Sequence, residues 1–195
     1  MRKIILTSNG RIPLDSSSDP ILEIYKSSKK TLIVPGFSNR DEDIIKKIAS
    51  KIKNPVIFSE NQLKDDLKDI DCVVLCAGKP DRLLHFIKDS KLNNFLTYSD
   101  AHIIAFSAGS LVLGEKCVIT PDDNYPELIV LKGLGLLPFS IEVHYDPKID
   151  NILLDLSKIT KIYAIPDDSA LVYTSKLKSL GTVYYFMNGE KSVIK

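Results

Sequence analysis

The sequence predicts an α/β fold: a central parallel sheet with helices on both faces and an antiparallel hairpin at the C-terminus. Three observations carry this prediction. Short apolar, β-branched runs recur through the first half of the chain, segments with helical spacing separate most of them, and the inner runs are apolar throughout rather than alternating. Strands joined by helical crossovers pair in parallel, and a strand covered on both faces has no polar side to present.

The elements follow in chain order. Residues 3–7 read as the first strand, ending on Ser8, Asn9 and Gly10, and residues 31–34 as the second, ending on Pro35, Gly36 and Phe37. The segment "DEDIIKKIASKI" puts Ile44, Ile45, Ile48 and Ile52 on one helical face. Residues 56–59 form a third run. The stretches "DCVVLCAG" and "AHIIAF", with strands at 72–75 and 102–106, have the composition of central strands. After about Gly114 the pattern changes to loops, shorter strands and one further helix near 151–157. In the tail "GTVYYFMNGEKSVIK", Asn188-Gly189 suits the positive φ angles of a type I′ turn, which predicts the hairpin. A chain of 195 residues without repeats, low-complexity segments or a linker is expected to form one domain over 1–195.

Composition narrows the function classes. Hydrophobic residues make up 44% of the chain and the formal charge is +1, so bulk charge gives no case for a nucleic-acid or membrane partner. The N-terminal apolar run is too short for a signal-peptide core or a membrane span, which predicts a cytoplasmic protein. Cys72, Cys76 and Cys117 do not group into a four-ligand set, so no metal is expected, and the thiols are read as buried and reduced.

An open α/β sheet places its site beyond the carboxyl ends of its strands. There the stretch "AFSAGS" offers Ser107 on a strand-to-helix turn. A serine attacks well only if its oxygen projects from the scaffold and a base removes its proton. Ala105 and Gly109, two residues to either side, leave room for a sharp elbow, and the helix opening at Ala108 presents unpaired backbone N–H groups to developing negative charge. Three histidines are available. His85 lies beside an apolar helical face, His102 sits at the entry of its strand, and His144 follows an apolar alternation at a strand end, so His144 is the candidate base. The loop "ITPDDNYPEL" supplies Asp122 and Asp123 as candidate orienting acids, with Asp146, Asp167 and Asp168 as rivals.

These residues resemble the peptidase E (aspartyl dipeptidase) family of serine peptidases, related to the cyanophycinases. The family's order is a G-x-S-A-G elbow, an acid in a Thr/Asn/Asp-rich loop, then "GL-LP" and a histidine before an aromatic; this chain reads "AFSAG", "ITPDDN" and "GLGLLPFSIEVHY", with matching spacing. Likeness extends to "ILTSNG", "IVPGFS" and "IYAIPDDSALVY". The resemblance implies a flavodoxin-like, class I glutamine amidotransferase-like fold. It makes Ser107 the nucleophile, His144 the base and Asp122 the acid, with Asp123 the near alternative, and it assigns an oxyanion hole to the backbone N–H groups of Gly78 and Ala108. It implies hydrolysis of a dipeptide or short peptide without a cofactor, with a small peptide as the partner and the chain a monomer or homodimer. The family turn near "GGGNT" reads "CAGKP" here, so Lys79 replaces an amide and Pro80 lacks a donor; Lys79 or Arg82 would meet an N-terminal Asp side chain. Two other readings use the same residues: a small esterase, and a non-catalytic or ligand-binding member of the fold.

Overall fold

The computed structural model describes residues 1–10, 19–58 and 67–194; Ser59, the end of the third expected run, lies outside them. In the first sheet, β1 (Ile4–Thr7), β2 (Thr31–Val34), β3 (Pro55–Ile57), β4 (Cys72–Leu75) and β5 (His102–Phe106) pair in parallel in the order β3-β2-β4-β5-β1. Successive side chains on a strand point to opposite faces. Ile5, Ile33, Val74 and Ile104 therefore pack against α1 (Pro20–Ser27) and α2 (Asp41–Ala49). Their neighbours Leu6, Leu32, Val73 and Ile103 turn to the other face, against α3 (Pro80–Lys88), α4 (Lys91–Tyr98) and α5 (Ala108–Val112). Helices on both faces are the reason these runs show no alternation. The isoleucines of the "DEDIIKKIASKI" segment belong to the first of these faces: Ile44, Ile45 and Ile48 pack half-buried against it, and Ile52 is buried in it.

The expectation of one parallel sheet is corrected: there are two sheets, and both are mixed. Antiparallel β10 (Ala170–Tyr173) and β11 (Leu177–Leu180) extend the first sheet beyond β1. The second sheet has the order β13-β12-β9-β8-β6-β7. Its parallel centre is β6 (Lys116–Ile119), β8 (Ser140–Val143) and β9 (Ile162–Ile165), flanked by antiparallel β7 (Ile129–Lys132), β12 (Val183–Met187) and β13 (Glu190–Ile194). Connection length explains the change. A parallel crossover needs roughly a dozen residues or more. Residues 174–176 between β10 and β11, and Asn188-Gly189 between β12 and β13, admit only antiparallel neighbours. β7 alternates between half-buried and exposed, and β13 is exposed over most of its length, as suits edge strands.

One face of the second sheet contributes Cys117, Ile141, Val143 and Ile165 to the core that also holds the α3–α5 face of the first. α6 (Asp150–Leu156) covers the other face, with Leu153 and Leu156 on Ile162, Ala164 and Phe186. Cys72, Cys76 and Cys117 are buried free thiols, and burial pushes each up to about 12. Among the described residues no helix is long and apolar enough to cross a membrane.

Ser110 joins the ends of β1 and β5. Its buried hydroxyl accepts from the Thr7 N–H (3.2 Å) and lies 3.1 Å from the Thr7 carbonyl and 2.9 Å from the Ala105 carbonyl. Ser110→Ala removes these contacts from a dry site while the Thr7 carbonyl keeps the Ser107 N–H (2.9 Å), so urea unfolding should show a stability loss of about 1 kcal/mol with an unchanged slope.

Candidate active site

Ser107 follows β5 directly and opens α5 with φ 48° and ψ −112°. A non-glycine residue at positive φ costs on the order of 1–3 kcal/mol and persists only when its surroundings over-determine it. Here they do. The Ser107 N–H donates to the Thr7 carbonyl (2.9 Å), and the Ser107 carbonyl accepts from the N–H groups of Ser110 (2.8 Å) and Leu111 (3.2 Å). Gly109 allows the close approach: a side-chain carbon there would lie 2.5 Å from the Leu75 carbonyl oxygen.

His144 follows β8, also at positive φ (52°). Its Nε2 lies 3.0 Å from Ser107 Oγ and its Nδ1 lies 2.6 Å from Asp167 Oδ1. An ionised carboxylate only accepts, so Nδ1 carries the proton given to Asp167 and Nε2 is left to accept from the serine hydroxyl. Sheet register produces the pair. Val143 is opposite Ile165 across parallel β8 and β9, so the residues just past the two strand ends, His144 and Asp167, emerge side by side. Both side chains are about half exposed, as a site open to a substrate requires.

Ser107 and His144 thus meet as the sequence predicts, but the carboxylate on the imidazole is Asp167 rather than the expected Asp122. Asp122 Oδ1 accepts instead from the N–H groups of Asn124 (2.7 Å) and Tyr125 (2.8 Å), closing its own turn. The Tyr125 hydroxyl donates to Asp81 Oδ1 (2.5 Å), which ties that loop to α3. Asp and Asn commonly spend their side chains on nearby backbone donors in this way. Asp123 is exposed in the same loop, as is Asp168 after Asp167, and Asp146 bonds the Lys148 N–H (3.0 Å) and ammonium (3.3 Å). Of the remaining histidines, His102 Nδ1 accepts from the Lys3 N–H (3.0 Å) at the entry end of β5, and His85 pairs with Asp89 (3.0 Å) on α3.

Ser107, Ala108, His144, Gly78 and Lys79 line one cleft of about 1210 Å³. The ends of β2 and β4 meet there backbone to backbone: a side-chain carbon at Gly78 would lie 2.0 Å from the Gly36 carbonyl oxygen, and one at Gly36 1.9 Å from that of Ala77. The Lys79 N–H donates to the Gly36 carbonyl (2.7 Å). Pro80 occupies the first turn of α3, where an N–H has no intrahelical partner, so its missing donor costs no helix bond. Arg82 is exposed on α3 and is not among the residues lining the cleft, whereas Arg40 is.

Two further residues bear on the site: Ser8, which the sequence places at the end of the first strand without a role, and Glu142, which it does not single out. Ser8, the first residue past β1, hydrogen-bonds the backbone N–H of His144 (2.9 Å). Glu142, on β8 and also lining the cleft, is buried, with Oε1 accepting from the Thr120 hydroxyl (2.9 Å) and Oε2 without a partner among the described residues. Burial first, and the neighbouring Asp122 charge in addition, raise its carboxyl to about 8 against the lowering effect of Thr120. A charged residue inside an apolar alternation was the signal for Glu142; for Ser8 it was only a position at a strand end.

The model of "Peptidase family S51" matches residues 4–180. A comparison with curated proteins returns no match. Among solved structures, the crystal structure of a peptidase from an acI-B1 Actinobacterium superposes with a TM-score of 0.73 at 15% sequence identity, covering 100% of this chain and 94% of that one. At that identity the likeness is one of fold.

The raised Glu142 carboxyl makes stability depend on pH. Above the ordinary glutamate value of about 4.3 the unfolded chain releases this proton while the folded protein keeps it up to about 8. The folded state then binds more protons, so stability falls as pH rises through that window. Glu142→Gln should be more stable than wild type at pH 8, by on the order of a few kcal/mol, and should flatten the decline between pH 5 and pH 8 in urea titrations.

Proposed function

The chain belongs to peptidase family S51, and from that premise we propose that it hydrolyses a dipeptide or short peptide through a Ser107–His144–Asp167 triad and an acyl-enzyme. The observation that carries this reading is the continuous hydrogen-bonded line from Ser107 Oγ through both imidazole nitrogens to Asp167.

In this mechanism Nε2 of His144 takes the hydroxyl proton as Ser107 Oγ attacks the peptide carbonyl carbon. Asp167 holds the tautomer and stabilises the imidazolium that forms. The negative charge on the carbonyl oxygen faces the backbone N–H groups of Gly78 and Ala108, the oxyanion hole the family resemblance assigns. Collapse of the tetrahedral intermediate breaks the C–N bond, and the imidazolium returns its proton to the departing amine. Water, deprotonated by the same histidine, then cleaves the ester and restores Ser107. No step calls for a cofactor.

A cleft bounded by strand-end loops suits a short peptide. Lys79 in its wall supports an acidic N-terminal residue as the preferred one, with Arg40 rather than Arg82 among the other cations that line the cleft.

Purified protein is to be tested against a dipeptide library that includes Asp-X members. Ser107→Ala should abolish every hydrolysis that wild type performs. Asp167→Asn, which leaves the imidazole without its anionic acceptor, should lower kcat by roughly 10³–10⁴. Asp122→Asn should lower it far less; the reverse ranking would return the orienting role to Asp122.

A further inference from the structure

We propose that Ser8 is a positioning residue for this reaction, one hydroxyl that holds the sheet carrying the nucleophile against the sheet carrying the base and its acid. The inference rests on the reading above and adds to it the element that sets the serine–imidazole distance. Ser107 comes from the first sheet, whereas His144 and Asp167 come from the second. A 3.0 Å contact between them is a contact between two separately hydrogen-bonded bodies, and something has to fix their relative position.

Ser8 stands at that seam and is 1% exposed. Its Oγ accepts from the backbone N–H of His144 (2.9 Å) and donates to the carbonyl of Ile165 (2.7 Å). The first partner is the residue bearing the imidazole, and the second is the last residue of β9, two before Asp167. The preceding residue, Thr7, receives the Ser107 N–H at its carbonyl (2.9 Å). The dipeptide Thr7-Ser8 therefore grips the nucleophile with its backbone and the base with its side chain. The bond to the Ile165 carbonyl is buried and that from the His144 N–H partly buried, and at positive φ the His144 N–H turns to the Ser8 hydroxyl. Removal of the hydroxyl leaves the His144 N–H without this acceptor and the Ile165 carbonyl with only the Tyr145 N–H (3.2 Å), at the place where a shift of a fraction of an ångström separates Oγ from Nε2.

The test compares Ser8→Ala with Ser140→Ala. Ser140 is equally buried and hydrogen-bonded, to Thr160 (3.0 Å) and the Lys116 N–H (3.3 Å), but at the opposite end of β8 from His144. Ser8→Ala should slow labelling of Ser107 by a serine-directed phosphonate at least tenfold, and should lower kcat on any peptide that wild type hydrolyses by a similar factor with KM within about twofold. Ser140→Ala, at comparable stability, should match wild type. In proton NMR, the downfield signal of the His144 Nδ1 proton held by Asp167 should shift or broaden in Ser8→Ala alone. Wild-type labelling rates in Ser8→Ala, or equal slowing in Ser140→Ala, would overturn the proposal. If wild type itself fails to label at Ser107, the peptidase reading falls, and the NMR signal decides on Ser8: unchanged in Ser8→Ala, it overturns the inference.

Discussion

The contact between Ser107 Oγ and His144 Nε2 is the constraint on which the rest of the arrangement depends, because it spans two sheets. Within either sheet, backbone ladders hold neighbouring residues to a fixed register. Between the sheets, position is set by side chains and by a shared core to which Ala105 and Leu75 contribute from one side and Ile141 and Val143 from the other. Apolar packing is non-directional and tolerates small slides, whereas hydrogen bonds specify distance and angle. The directional links at this seam, through Ser8 to His144 and Ile165, lie beside the reacting atoms.

Strain is confined to the same place. Ser107 and His144 both adopt positive φ, and both are held there by hydrogen bonds to the end of β1. In each case the unfavourable backbone turns a side chain out of a buried strand end into an open cleft. The glycines nearby serve the same geometry: Gly109 lets the elbow settle on Leu75, and the pair Gly36 and Gly78 lets two loops meet without side chains between them. The buried, partly unpaired Glu142 is a further cost at the cleft wall.

What the sequence made legible follows from which interactions are local. The parallel strands of the first sheet and the helical face of Ile44, Ile45 and Ile48 were readable because each is a periodicity within a few residues. Ser107 was readable because it stands between small residues at a strand-to-helix turn, and His144 because it is one of 3 histidines and the one at the exit end of a strand. The second sheet was not, since whether β6, β8 and β9 join the first sheet or form their own is decided by pairings between distant segments. The carboxylate that meets His144 was named only as a rival for a related reason. Proximity in sequence favoured Asp122, which satisfies its own turn, while Asp167 reaches His144 only through the register of β8 with β9, and nothing in the composition of "IPDDS" reports that register.

The central claim is that Ser107, His144 and Asp167 act as one unit across the two sheets. It is tested most directly by a crystal structure of the protein after reaction with a serine-directed phosphonate. The account predicts a covalent bond from Ser107 Oγ to phosphorus, a phosphoryl oxygen facing the N–H groups of Gly78 and Ala108, and the imidazole of His144 still bound to Asp167. An adduct on another residue, or an imidazole turned to Asp122, would contradict it.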